Sequence, residues 1–279
     1  MTDVLVNGIR LHYQVYGEGA PLVLAHGYGA TLDMWAGQTE AFSQKCQVVV
    51  YDMRGHGRTE APRDWSSYNL DDYVEDQRQL MDHLGIDTAY VGGLSMGGAI
   101  ALRFALAHPQ RLKALLLCDT SARNYALQGD GSGSAPGAVR RFIFRDVVPA
   151  SFAFARYLPV QLLPQVHKAP EGVKSYIRNM RQHTALGLRG AWHALMGQEN
   201  LEDRLDEIRV PTLIIVGDRD PLLTPSRVMQ QRIPGCRFVL INGSGHGTAN
   251  WRPEAFNKAV LEFLEDVEAG RPVEGETAL

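Results

Sequence analysis

No apolar run in the 279-residue chain approaches the roughly 20 residues that a membrane-crossing helix requires. The opening MTDVLVNGIR also lacks the basic start and long apolar core of a signal peptide. There is no basic excess either: the formal net charge is -3, which leaves no electrostatic footprint for nucleic acid or an anionic membrane surface. Cysteine is scarce. Cys46, Cys118 and Cys236 are an odd number in no metal-binding spacing, and Cys46 and Cys118 lie in or beside apolar runs, as expected of inert, largely buried thiols. Internal repeats are absent too. These absences point to a cytoplasmic protein whose partner is a small molecule, with no nucleic acid and no membrane, and with oligomerisation left open.

At 45% hydrophobic and 21% charged residues, the composition is that of a globular protein with a large core. The chain opens with VLVNGIRLHYQVYG, an alternation of apolar and polar residues around Asn7-Gly8, a pair suited to a tight hairpin turn. Short, nearly continuous apolar runs follow: PLVLAHG (21–27), CQVVVYD (46–52), TAYVGG (88–93), LKALLLCDT (112–120), VPTLIIVGD (210–218) and RFVLING (237–243). A strand apolar on both faces is buried on both faces. Helical patterns lie between the runs, the clearest being LDDYVEDQRQLMDHLG, with Gly85 as its C-terminal cap. Such alternation predicts an α/β fold with a mostly parallel, doubly wound sheet. It is interrupted from about Ser121 to Asp206, where QGDGSGSAPG (128–137) precedes the aromatic RRFIFRDVVPASFAFARYLP. The expected organisation is a core of residues 1–121 and 207–268, an inserted helical cap at 122–206 and a flexible tail at 269–279.

Within VGGLSMGG (91–98), one serine stands between two glycine pairs. A flexible turn would account for the glycines alone. The placement is more demanding: Gly93-Leu94-Ser95-Met96-Gly97 follows a strand pattern and precedes the helical GAIALRFALAHP, the context in which a G-x-S-x-G turn presents its serine as a nucleophile. The helix behind Ser95 aims its first amides at the site, so the Met96 N–H is a candidate oxyanion donor. A serine hydroxyl needs a base. His246, in the small-residue loop NGSGHGTAN after a strand, is the candidate, whereas His12, His83 and His108 sit in hairpin and helix contexts. The carboxylate that would orient it is Asp220, further into its loop than Asp218, with Asp119 after LKALLLC as another possibility. A second oxyanion donor is expected from His26-Gly27-Tyr28-Gly29, most directly the Tyr28 N–H. His26 is a candidate for bracing that loop and for touching substrate, and Trp192 is a second candidate substrate contact.

Five segments in order, HGYG, YDMRGHGRT (51–59), GLSMGG, GDRDPLLTP and GSGHGT, resemble the oxyanion loop, strand-4 exit, nucleophile elbow, acid loop and histidine loop of the α/β-hydrolase superfamily. GLSMGG, CDTSAR and the chain length are most similar to 3-oxoadipate enol-lactonases and related small carboxylesterases and lactonases. The resemblance implies a Ser95, Asp220, His246 triad that cleaves an ester or lactone through an acyl-enzyme, with no metal or organic cofactor. The apolar cap implies a partly hydrophobic substrate, and Arg123, Arg140, Arg141 and Arg145 are available for an acidic one. Thioesterases, C–C bond hydrolases and cofactor-free perhydrolases use the same triad, and a slow-turnover receptor could retain it.

Overall fold

In the computed structural model, the described residues are 2–123, 174 and 179–279. Asn7 and Gly8 take φ of 44° and 75°, the left-handed conformation that closes a two-residue hairpin, and join β1 (Thr2–Val6) to β2 (Ile9–Tyr16) with Val6 opposite Ile9. The apolar runs become β3 (Ala20–Ala25), β4 (Cys46–Tyr51), β5 (Ala89–Leu94), β6 (Leu112–Cys118), β7 (Thr212–Gly217) and β8 (Arg237–Ile241). The described strands form one sheet in the order β1-β2-β4-β3-β5-β6-β7-β8-β9, antiparallel through β4 and parallel from there on.

Alternate residues of one strand supply the two faces. Val49 and Tyr51 join a core with α2 (Leu70–His83) and α3 (Met96–Ala107), while Val48 and Val50 join another with α1 (Ala36–Phe42) and a C-terminal helix at Pro253–Glu268. Double burial explains why these strands read as unbroken apolar runs. Gly85, at φ 67°, follows the end of α2 as expected. The chain leaves β3 for β4 on one side and returns to β5 on the other. The loops after β3 and β5 therefore part at the carboxyl ends of the strands and open a crevice there.

Of the expected insertion, residues 122, 123, 174 and 179–206 are described; they include α4 (Ala185–Met196) and most of a 3₁₀ segment, Glu202–Glu207. The Gly/Ser run 128–137 and Arg140, Arg141 and Arg145 lie outside the described residues. The segment packs closely on the core: a Cβ at Gly190 would fall 2.5 Å from the Tyr68 ring. Beyond it come α5 (Leu223–Arg232), α6 (Thr248–Trp251) and α7 (Pro253–Glu268). No described helix is long and apolar enough to cross a membrane. All three cysteines are buried and free.

The C-terminal tail corrects the expectation that it frays. Gly275–Ala278 forms β9, parallel to β8 from Arg237↔Gly275 to Leu240↔Ala278, and the Asn242 N–H donates to Leu279 O at 2.8 Å. Its side chains are exposed; the ladder uses backbone alone, so a polar sequence concealed it.

The loop after β4 is tied to α2 by a buried ion pair. Arg54 donates through Nε to Asp76 Oδ2 at 2.9 Å and through Nη2 to Oδ1 at 2.6 Å, with both side chains at most 2% exposed. Asn7 Nδ2 adds a third bond to Asp76 at 3.0 Å, and Tyr73 donates to Arg54 O at 3.2 Å. Removing one partner strands the other charge, so Asp76→Ala is expected to lower the urea unfolding free energy by about 3–5 kcal/mol. A loss under about 1 kcal/mol would mean that Arg54 finds water instead.

Candidate active site

Ser95 takes φ 58° and ψ -114° between β5 and α3, a conformation that L residues rarely adopt. Its N–H donates to Cys118 O at 2.9 Å, and its carbonyl accepts from Ala99 N–H at 3.0 Å and Thr120 Oγ1 at 2.8 Å. The flanking glycines serve close approach, not dihedral freedom. A Cβ on Gly93 would run into the Gly97 carbonyl, and one on Gly97 would overlap the Ala25 carbonyl and lie 2.6 Å from His26 O. Because Met96 is the first residue of α3, its amide has no intrahelical acceptor.

Three residues from three loops meet over this turn. Ser95 Oγ lies 3.0 Å from His246 Nε2, and His246 Nδ1 lies 2.9 Å from Asp220 Oδ2. An ionised carboxylate only accepts, so Nδ1 carries the proton and Nε2 is left to accept from Ser95. Asp220 is buried, its other oxygen accepting from Leu222 N–H at 2.8 Å, while the His246 side chain is 41% exposed to the crevice. Burial alone would lower the His246 pKa. The hydrogen bond and charge of Asp220, with the charge of Asp119, outweigh that and hold it above its ordinary value.

The other two carboxylates hold backbone. Asp218 Oδ1 accepts from Ser244 N–H at 3.1 Å. Asp119, fully buried and at φ 46°, accepts through Oδ2 from Gly247 N–H (3.1 Å), Thr248 N–H (2.7 Å) and Thr248 Oγ1 (2.8 Å), pinning the residues just after His246. Burial and the neighbouring charge of Asp220 push its carboxyl up.

Tyr28 follows Gly27, where a Cβ would lie 3.7 Å from Ser95 Cβ. Tyr28, Ser95 and His246 line one mostly apolar cavity of about 270 Å³, with Met34, Leu94 and Trp251 among its other walls. Ser95 also lines a second cavity of about 120 Å³, to which Thr120, Gln198 and Arg123 contribute; Arg123 Nε is 3.4 Å from Glu202 Oε1.

One candidate substrate contact is corrected. His26 is fully buried, donating from Nδ1 to Gly27 O at 2.8 Å and accepting at Nε2 from Met53 N–H at 3.0 Å, so it braces the loop. Trp192, the other candidate, is buried on α4 with its ring centroid 5.1 Å from that of Tyr28, edge-on. Trp251 supplies an aromatic wall to the larger cavity, and nothing in its sequence context marks it. His56 and His183 were also missed: the first sits in a segment noted only for its resemblance, the second in a stretch without a recognisable pattern.

The α/β-hydrolase fold family model matches residues 20–253. This chain belongs to the α/β-hydrolase family. A putative carbamate hydrolase of Azorhizobium caulinodans is 28% identical to it over 265 residues, covering 92% of this chain and 96% of the relative. A 3-oxoadipate enol-lactonase of Acinetobacter baylyi is also 28% identical over 265 residues, covering 94% and 95%. Among solved structures, the enol-lactonase of Burkholderia xenovorans superposes with a TM-score of 0.79 at 29% identity, over 95% of this chain and 100% of that one. The expected likeness to enol-lactonases is thus met, and membership of this family together with the enol-lactonase relatives supports hydrolase activity.

The close approach at the elbow is testable without substrate. Gly97→Ala must displace α3 from β3 and is expected to lose about 1–3 kcal/mol or more in denaturant unfolding. Gly245→Ala, where a Cβ meets nothing within 4 Å, is the control and should change stability by less than about 0.5 kcal/mol. Equal effects would refute the packing argument.

Proposed function

We propose that the protein hydrolyses a carboxylic ester or lactone of a small, partly hydrophobic substrate through an acyl-enzyme on Ser95. The observation that carries this reading is the in-line relay of Ser95 Oγ, His246 and Asp220 at 3.0 and 2.9 Å over a strained turn. As Oγ attacks the carbonyl carbon, its proton passes to His246 Nε2, and the carbonyl oxygen takes up negative charge facing the Met96 and Tyr28 amides. Collapse breaks the bond to the leaving oxygen, which receives the proton from Nε2. Water then gives a proton to His246 and attacks the acyl carbon, and Ser95 Oγ leaves with that proton. The sum is ester plus water to acid plus alcohol, or to one hydroxy acid from a lactone.

The apolar walls of the larger cavity, Met34, Leu94 and Trp251, favour a hydrophobic portion on the substrate, and the enol-lactonase relative makes a lactone a natural first choice. Residues 122–206 serve in this reading as the cap, with α4 among its described parts.

Stopped-flow release of p-nitrophenol from short and medium acyl esters tests the reading. A burst and turnover in the native protein that fall by roughly a millionfold in Ser95→Ala are expected. Equal inertness of both proteins would move the chemistry outside the ester class or make the site a slow receptor.

The pH profile gives a second test. His246 must be neutral to act as base, and its pKa is raised, so kcat/KM should decline as the pH falls through a value above about 6.5. Asp220→Asn removes the main cause of that elevation. The acid limb should then move to lower pH while kcat drops by about 10⁴-fold; a limb that stays in place would assign the titration to another group.

A further inference from the structure

Backbone groups in a buried loop need partners, and the loop after β3 finds them in three imidazoles. His26 binds Gly27 O and Met53 N–H as above. His56 accepts from Gly29 N–H at Nε2 (3.2 Å) and donates from Nδ1 to Arg54 O (3.1 Å). His183 donates from Nε2 to Gly29 O (2.9 Å) and accepts at Nδ1 from Gly57 N–H (3.0 Å). Each ring thus uses one nitrogen as donor and the other as acceptor, which only a neutral imidazole does. The rings stack edge to face, with centroids 5.0 Å apart for His26 and His56 and 5.3 Å for His56 and His183. Burial of the rings opposes protonation, lowering His26 to about 3 and His183 to about 4.

Both polar groups of the Gly29 backbone are therefore held by histidines, at a residue whose φ is 69°. The carbonyl that His183 holds belongs to the residue directly after Tyr28. His26 and His56 come from loops of the core, but His183 comes from the inserted segment. That segment grips the same loop twice more: Tyr28 donates from its hydroxyl to Leu188 O at 3.1 Å, and Asn179 Nδ2 donates to Thr31 Oγ1 at 3.0 Å.

We propose that His183 is a positioning residue: by fixing Gly29 between the inserted segment and the core, it sets the Tyr28 amide that receives the oxyanion. The inference rests on the reading of Ser95 as nucleophile. A donor displaced from the oxyanion weakens the transition state more than the ground state, so the signature is a fall in kcat with KM little changed.

The test compares the native protein with His183→Phe, which keeps a ring but loses both hydrogen bonds, and with His183→Gln, which retains a donor and an acceptor. The readouts are kcat and KM on a p-nitrophenyl ester, inhibition by phenylboronic acid as a tetrahedral adduct, and amide exchange across residues 27–31. In His183→Phe, kcat and boronate affinity should both fall about 10- to 100-fold. KM should move less than about threefold, exchange should rise within 27–31, and His183→Gln should recover much of the loss. Folded His183→Phe with kcat and boronate affinity within about twofold of native would overturn the proposal, even at a lower melting temperature. So would a loss spread equally over kcat and KM with exchange raised throughout the chain. If His183→Phe does not fold, His183→Ala takes its place with free imidazole added: restored boronate affinity supports the role, and no restoration overturns it. A native protein without an acyl burst would instead sink the reading of Ser95, an outcome separate from a normal burst that His183→Phe leaves untouched.

Discussion

The turn at Ser95 is the constraint around which the centre of the molecule is organised. An L residue at φ 58° and ψ -114° is held there at a cost of about 1–3 kcal/mol, and persists only where its surroundings over-determine it. Here they do. Its amide is bound by the end of β6, its carbonyl by Thr120 and the first turn of α3, and α3 lies so close to β3 that no side chain fits at Gly97. Three strands and one helix thus converge on a single peptide. Asp119 repeats the device one strand away, with φ 46° at the end of β6, and there too the strained residue points its side chain at the site, fastening the backbone after His246.

Histidine serves in two opposite electrostatic settings around the same crevice. His246 faces two carboxylates, which raise its affinity for a proton, and it is the exposed member of its relay. His26, His56 and His183 are buried, next to one another, and bonded to backbone through both nitrogens, so protonation of any one would remove an acceptor and place a charge beside the other two. The residue type is the same; the difference lies in whether the second ring nitrogen meets a carboxylate or an amide.

Much of this was legible in the chain because the responsible signals are local. Each parallel strand shows as an apolar run since both of its faces are buried, the hairpin shows as Asn7-Gly8, and the elbow shows as glycines framing Ser95 between a strand and a helix. The meeting of His246 with Asp220 was legible by the same logic, each residue standing in a loop directly after a strand. What escaped depends on backbone partners far away in sequence. β9 pairs through main-chain groups that no composition reveals. His183 meets Gly29 across 154 residues, and no pattern in the neighbouring residues marks such a bond. His26 was placed in the right loop with one role too many, because a histidine that braces and one that touches substrate look alike until both nitrogens are seen to be engaged.

The two halves of the crevice are consequently held by different parts of the chain. Ser95, His246 and Asp220 are fixed by Cys118, Asp119, Thr120, Leu222 and the loop after β8, all within the core. The opposite wall, from Gly27 to Thr31, is fixed by His26 and His56 of the core together with Asn179, His183 and Leu188 of the inserted segment. On the readings of Ser95 as nucleophile, Tyr28 as oxyanion donor and residues 122–206 as an insertion, the relay that moves the proton is complete without the insertion, whereas the stabilisation of negative charge opposite it is not. Variation in the insertion would then alter not only which substrates fit but how well the loop that receives the oxyanion is aimed, since size selection and transition-state stabilisation pass through the same few contacts on Tyr28 and Gly29.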